Sequence, residues 1–182
     1  MKTPTPEFHR PVRVADLADD ENAIEIAADA TERQALARRF ALAGLDKLEA
    51  RLTLVPADDR RGLDVEGHLV ADVVQSCVVT LEPVRANIDA VFRRTYTVEP
   101  PPEDDGDLGP SLLDSADPPD PIVDGTVDLG EAVAEQLALE LDPFPRAAGV
   151  TFEGIAENNK EIKELDDKLN PFAVLADLKR KR

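Results

Sequence analysis

Between residues 48 and 98 the apolar residues keep a period of two through three successive runs. Only extended strands with one covered face satisfy such a pattern. Leu48, Ala50, Leu52 and Leu54 fall on one side, and Glu49, Arg51 and Thr53 on the other. A turn-rich PADDRRG follows. Leu63, Val65, Leu69, Ala71 and Val73 then oppose Asp64, Glu66, His68 and Asp72, with Gly67 read as a bulge. Beyond Cys77, PVRANIDAVFRRTYTV alternates in turn. Neighbouring amphipathic strands joined by short turns predict an antiparallel meander, curled into a small barrel or roll.

Around this meander the periodicity changes. EFHRPVRVADL and NAIEIAADA read as extended. TERQALARRFALAG begins at Thr31 with Gln34 three positions on, a capping-box signature. It places Leu36 and Phe40 on one face and stops at Gly44, which predicts an amphipathic helix. Later, IVDGTVDL reads as a returning strand. Asp128 caps a second helix, with Glu131 at its third position and Leu129, Val133, Leu137 and Leu141 repeating every fourth residue until Pro143. Asn170 and Pro171 start a short C-terminal helix whose Phe172, Leu175 and Leu178 form an apolar stripe ahead of KRKR. That stripe is docked on its own domain, held out for a partner, or disordered. The fold class expected is α+β, an antiparallel meander packed with two main helices. Residues 1–99 form its β-rich part with one helix, 100–121 an acidic Pro-rich flexible loop, 122–155 the returning strand and helix of the same domain, and 156–182 a charged tail.

Charge limits the partners. Thirty-eight acids against 21 bases give a formal net charge of -17, and residues 100–145 hold 13 of those acids and no base. Glu103, Asp104, Asp105 and Asp107 belong to this segment, which is either a solubilising linker or a mimic of nucleic acid that shields a basic partner. Affinity for a phosphate backbone comes from Lys and Arg. With aromatics at 4% and no Trp, stacking platforms for bases are few as well. RNA contact is therefore expected to be indirect or weak, and a basic protein suits the field better. The N-terminus lacks the apolar stretch of a secretory signal, a single cysteine cannot close an intramolecular disulfide, and no apolar run approaches the roughly 20 residues that span a bilayer. The expected setting is cytoplasmic, with no membrane contact.

Little in the chain suggests catalysis. A Cys77 nucleophile needs a base, and the candidates are His9 and His68, the latter at a solvent-facing strand position. A structural zinc needs four thiolate or imidazole ligands, which one cysteine and two distant histidines do not supply. Asp104 and Asp105 lie in the acidic segment, where nothing would hold their pKa values apart for acid–base work. No enzyme activity, metal or cofactor is expected.

CVVTLEPV followed by NIDAVFRRTYTV, then DPIVDGTVDLGEAVAEQLALELDPFPR, resembles the YceD family of large ribosomal RNA subunit accumulation proteins. The tail NPFAVLADLK is similar to its alphaproteobacterial branch. The resemblance runs in order through most of residues 8–178. In many members the first motif has the form C-x-R-C-L-x-P, and some add cysteines after the late helix, as in a zinc site. Here Cys77, Leu81, Glu82 and Pro83 match, whereas Val79 and Thr80 replace the arginine and the second cysteine, and PFPRAAGVTF follows the helix without a cysteine. The resemblance implies Cys77, Leu81, Glu82, Pro83, Asp128, Leu129, Pro145 and Arg146 as motif residues. Cys77 is then the remnant of a paired-cysteine turn, a small buried hydrophobe, with Leu81 and Val84 packing the turn. It also implies a non-catalytic role in accumulation or maturation of large-subunit ribosomal RNA. Genes of the family often neighbour one for a small basic large-subunit ribosomal protein. A partner of that kind, or the pre-ribosomal particle, is the expected ligand. The alternative is a direct RNA-binding cofactor of ribosomal RNA processing that uses Arg93, Arg94 and the KRKR tail.

Overall fold

The computed structural model describes residues 6–57, 60–98 and 118–151. Residues up to Ala147 belong to one compact unit, and Ala148–Arg182 to a second. In the first, the elements run β1 (Pro11–Arg13), a 3-10 turn (Val14–Asp16), β2 (Asn22–Ala27), α1 (Ala30–Arg39), β3 (Gly44–Pro56), β4 (Gly62–Ser76), β5 (Pro83–Thr97), β6 (Asp120–Pro121), β7 (Thr126–Asp128) and α2 (Leu129–Glu140).

The meander follows from the alternation. β2, β3, β4 and β5 pair antiparallel in chain order, and β6 adds a short parallel pairing at Tyr96 and Thr97. Register puts Leu52, Gly67 and Phe92 side by side on one row and Pro56, Leu63 and Tyr96 on another. All the apolar positions of β3 and β4 read from the sequence are buried. One face of the sheet is thereby apolar, and the two helices cover it. Leu36 of α1 and Leu129, Val133 and Leu137 of α2 share a single core with the sheet residues, and Leu141 packs against it partly buried.

Several expectations need correction. Among the described residues the sheet does not close into a barrel: β2 and β6 stand at its two ends, and β1 pairs instead with β7 in a separate two-stranded sheet. Gly67 is not a bulge. The register runs through it unbroken, and a Cβ there would lie 2.3 Å from the Phe92 ring, so the glycine makes room for that ring. The irregularity is at Leu45/Lys47. The N-terminal extended stretch contributes only three residues of strand, and IVDGTVDL contains a tight turn at Asp124 and Gly125 before β7. The capping box of α1 starts two residues earlier than expected. Asp29 accepts from the N–H groups of Thr31 and Glu32, and Glu32 accepts the Asp29 N–H at 2.8 Å. α1 ends at Arg39, and Gly44 opens β3 rather than closing the helix. The expected C-terminal helix lies outside the described residues.

Residues 7–10 clasp the two helices together. Phe8 is fully buried, with the Arg10 guanidinium 4.6 Å from its ring centre. Arg10 donates to both oxygens of Glu32 on α1, at 2.7 and 2.9 Å, and its own N–H donates to Asp128 at 2.8 Å. Arg39 bridges from α1 to Glu131 of α2 and to Glu7. The segment lies so close to α2 that a Cβ on Gly130 would stand 2.1 Å from the Phe8 carbonyl oxygen. Gly130→Ala therefore sets helix propensity, worth about 1 kcal/mol in favour, against a backbone collision. A net loss of about 1 to 3 kcal/mol is expected in a urea titration. An unchanged midpoint means that the clasp is not formed in this way.

Candidate functional site

Most of the motif residues meet at the turn between β4 and β5. Residues 77–82 form a six-residue hairpin loop closed by Cys77 N–H to the Glu82 carbonyl at 2.8 Å, with the Leu81 N–H donating to the Cys77 carbonyl at 2.9 Å. The segment after α2 runs alongside. Its Pro145 carbonyl accepts the Val78 N–H at 2.9 Å, its Asp142 carbonyl accepts the Gln75 side chain at 2.9 Å, and its Ala147 N–H donates to the Cys77 sulfur at 3.4 Å. Thus Cys77, Leu81, Glu82, Pro83, Pro145 and Arg146 are gathered into two adjoining segments, with Pro145 buried and Arg146 exposed. Asp128 and Leu129 lie at the other end of α2. There Asp128 caps the helix through the N–H groups of Gly130 and Glu131, accepts from Arg10, and meets His9 Nδ1 at 2.5 Å, while Leu129 is fully buried. Glu103, Asp104, Asp105 and Asp107, and Pro171, Phe172, Leu175 and Leu178, lie outside the described residues.

Cys77 is buried, and its sulfur works as a hydrogen-bond acceptor. The Thr80 N–H at 3.5 Å and the Ala147 N–H at 3.4 Å both point to it. The Thr80 hydroxyl, with the N–H groups of Ala147, Thr80 and Val79, draws the thiol pKa down to about 6 while burial opposes the shift. Neither histidine bonds to it: His68 is engaged with Asp89 on the open face of the sheet, and His9 with Asp128. A tetrahedral zinc does not fit this donor set. It offers one thiol; the Thr80 hydroxyl is in contact with Glu82, and the Pro145 carbonyl is already used by Val78.

Leu81 does not pack the turn. It is 78% exposed and sits at φ 62, a left-handed conformation that disfavours residues with a Cβ. Val78 and Val79 on the same loop, and Phe144 on the segment bonded to it, are exposed as well. Composition did not point to these exposed apolar residues, because alternation lapses in the loop and nothing local marks the segment of Phe144 as its neighbour.

Arg93 and Arg94, adjacent in β5, point to opposite faces. Arg93 pairs with Glu66 on the open face, while Arg94, on the covered side, reaches Glu135 of α2 at 2.5 Å and Asp120 at 3.4 Å. The two guanidinium groups do not form one patch.

The sequence model of the family described as large ribosomal RNA subunit accumulation protein YceD matches residues 65–179, more than half of the chain. This chain belongs to the YceD family. The match opens in β4 and takes in the hairpin loop, α2 and the segment beyond it, so that both strands and both segments of the Cys77 region fall inside the YceD portion. β1 to β3 and α1 precede it. No curated protein and no solved structure matches the chain.

The lowered thiol pKa has a defined linkage sign. A group more acidic in the folded chain contributes stability that is complete above the unfolded thiol pKa, about 8.5, and is lost as pH falls through the folded value near 6. The melting temperature of the native chain relative to Cys77→Ala is expected to rise from pH 6 to 8.5. A difference that stays flat over this interval means that the thiol remains protonated.

Proposed function

We propose that this protein is a non-catalytic cytoplasmic factor for accumulation or maturation of large-subunit ribosomal RNA, acting by binding a basic large-subunit ribosomal protein during assembly. The family match carries the ribosomal part of the reading. The partner's charge is inferred from the concentration of acids between residues 100 and 145. Of the cations that an RNA-binding reading would use, Arg93 and Arg94 both face carboxylates, and those of the KRKR tail lie outside the described residues. Among the described helices, none is long and apolar enough to cross a membrane.

The test is capture by the tagged full chain from large-subunit proteins extracted free of RNA, with ribonuclease present. A basic ribosomal protein should be retained at about 0.1 M salt and released as screening shortens the reach of exposed charges. Changing Glu103, Asp104, Asp105 and Asp107 together to Gln or Asn should weaken capture by roughly 3- to 30-fold, because each exposed pair contributes under about 1 kcal/mol and the effect is collective. Recovery only of RNA-dependent material favours direct RNA binding instead.

A further inference from the structure

Among the described residues, nine large apolar side chains are exposed, and four of them, Val78, Val79, Leu81 and Phe144, stand on the two segments that meet at Cys77. Three hydrogen bonds tie those segments together, from Gln75 to Asp142, Val78 to Pro145 and Ala147 to Cys77, so the four are carried by one bonded pair of segments. Leu81 is the most telling. Glycine or asparagine would suit its left-handed backbone, and a polar residue would suit its 78% exposure. A side chain unsuited on both counts points to a use outside the fold.

The surrounding charge indicates what that use is. On the open face of the sheet most carboxylates are matched by a cation within the chain, Glu25 by Arg51, Glu49 by Lys47, Asp46 by Arg85, Glu66 by Arg93 and Asp89 by His68, while Asp64 and Asp72 meet the neutral Thr95 and Asn87. Around the apolar group none of the three nearby acids is matched in this way. Glu82 meets only the Thr80 hydroxyl, Asp142 the N–H of Phe144, and Glu140 the Gln136 amide, so that among the described residues these three acids have no cation. Arg146 is the one base on the segment.

We propose that Leu81, Phe144, Val78 and Val79 form a docking surface for a Lys- or Arg-rich protein segment that presents large apolar side chains, the apolar group anchoring it and Glu82, Glu140 and Asp142 meeting its cations. The partner's origin in the large subunit rests on the reading above, while its chemistry rests on this surface alone. Central apolar anchors inside a charged rim are the usual arrangement of a specific interface.

The probe is a fluorescent 12-residue Lys-rich peptide carrying two Phe, with a second peptide in which both Phe are Ser, each titrated against the full chain. The Phe peptide should bind about tenfold or more tightly than the Ser peptide, and the double variant Leu81→Ser/Phe144→Ser should abolish that preference. Both positions are exposed, so the variant retains the fold, checked by its unfolding midpoint. Equal binding of the two peptides overturns the proposal, as does a preference that survives the double variant. A photo-crosslinking residue at position 81, irradiated with RNA-free large-subunit proteins, then separates the occupants. Attachment to a basic protein supports the surface, whereas attachment only to a second copy or to residues 152–182 of the same chain overturns it. If the peptide preference is lost in the variant but no ribosomal protein is captured, the surface stands and the ribosomal reading fails. If ribosomal capture is unaffected by the double variant, the reverse holds.

Discussion

The carboxylate of Asp128 is the fixed point from which the rest of the domain is oriented. It satisfies N–H groups that the first turn of α2 leaves without helical partners, and it also takes the Arg10 N–H and the His9 ring from a segment far away in sequence. A cap alone is worth about 1 kcal/mol. Here the same group joins a helix start to an N-terminal strand, and the Arg10–Glu32 bridge passes the constraint on to α1. With its start held, α2 can lay Leu129, Val133 and Leu137 along the covered face of the sheet. Its twelve residues then advance about 18 Å, at 1.5 Å per residue. That rise delivers Asp142 to Ala147 to the end of the β4–β5 hairpin, so the position of the Cys77 region is set from the opposite end of the helix.

At that end, the loop around Cys77 is held by hydrogen bonds alone among the described residues. Backbone N–H groups from both segments converge on one sulfur, and Val78 bonds directly to the Pro145 carbonyl. The energetic logic differs from that of a zinc site. Metal coordination supplies a large folding term in one step, whereas here three ordinary hydrogen bonds and the burial of Cys77 and Pro145 act together with a helix already pinned by its core. The approach of the second segment is thus a consequence of the packing of α2, and the cysteine contributes as an acceptor inside it.

Much of this fold was legible in the residues themselves, and the limits have physical reasons. Period-two alternation over strands of 13 to 15 residues leaves little freedom, and the buried positions of β3 and β4 were readable one by one. Asp128 was equally clear, because a capping residue ahead of Leu129, Val133 and Leu137 has one natural interpretation. The start of α1 was ambiguous: Asp29 with Glu32 and Thr31 with Gln34 both fit a capping box, and contact of Glu32 with Arg10 favours the former. Closure of the sheet could not be read, since it depends on strand tilt and stagger rather than on polarity. The β1–β7 pairing is three residues long and joins segments far apart in sequence, too short and too remote for a pattern. In the candidate site, sequence similarity picked out Cys77, Leu81 and Pro145 but assigned Leu81 to packing. Its backbone angle and exposure are properties of the folded loop.

The clasp around Asp128 also fixes an order of events during synthesis. Strands β2 to β5 each pair with their neighbour in the chain, so the meander can assemble through short loop closures as it emerges. His9 and Arg10 have no such option: their carboxylate lies 119 and 118 residues downstream. Until α2 has left the ribosome, Phe8 has no pocket to fill and the apolar face of the sheet lacks part of its cover. The nascent chain therefore carries an incomplete core until α2 is out, and residues 7–10, made before the meander, are locked after it.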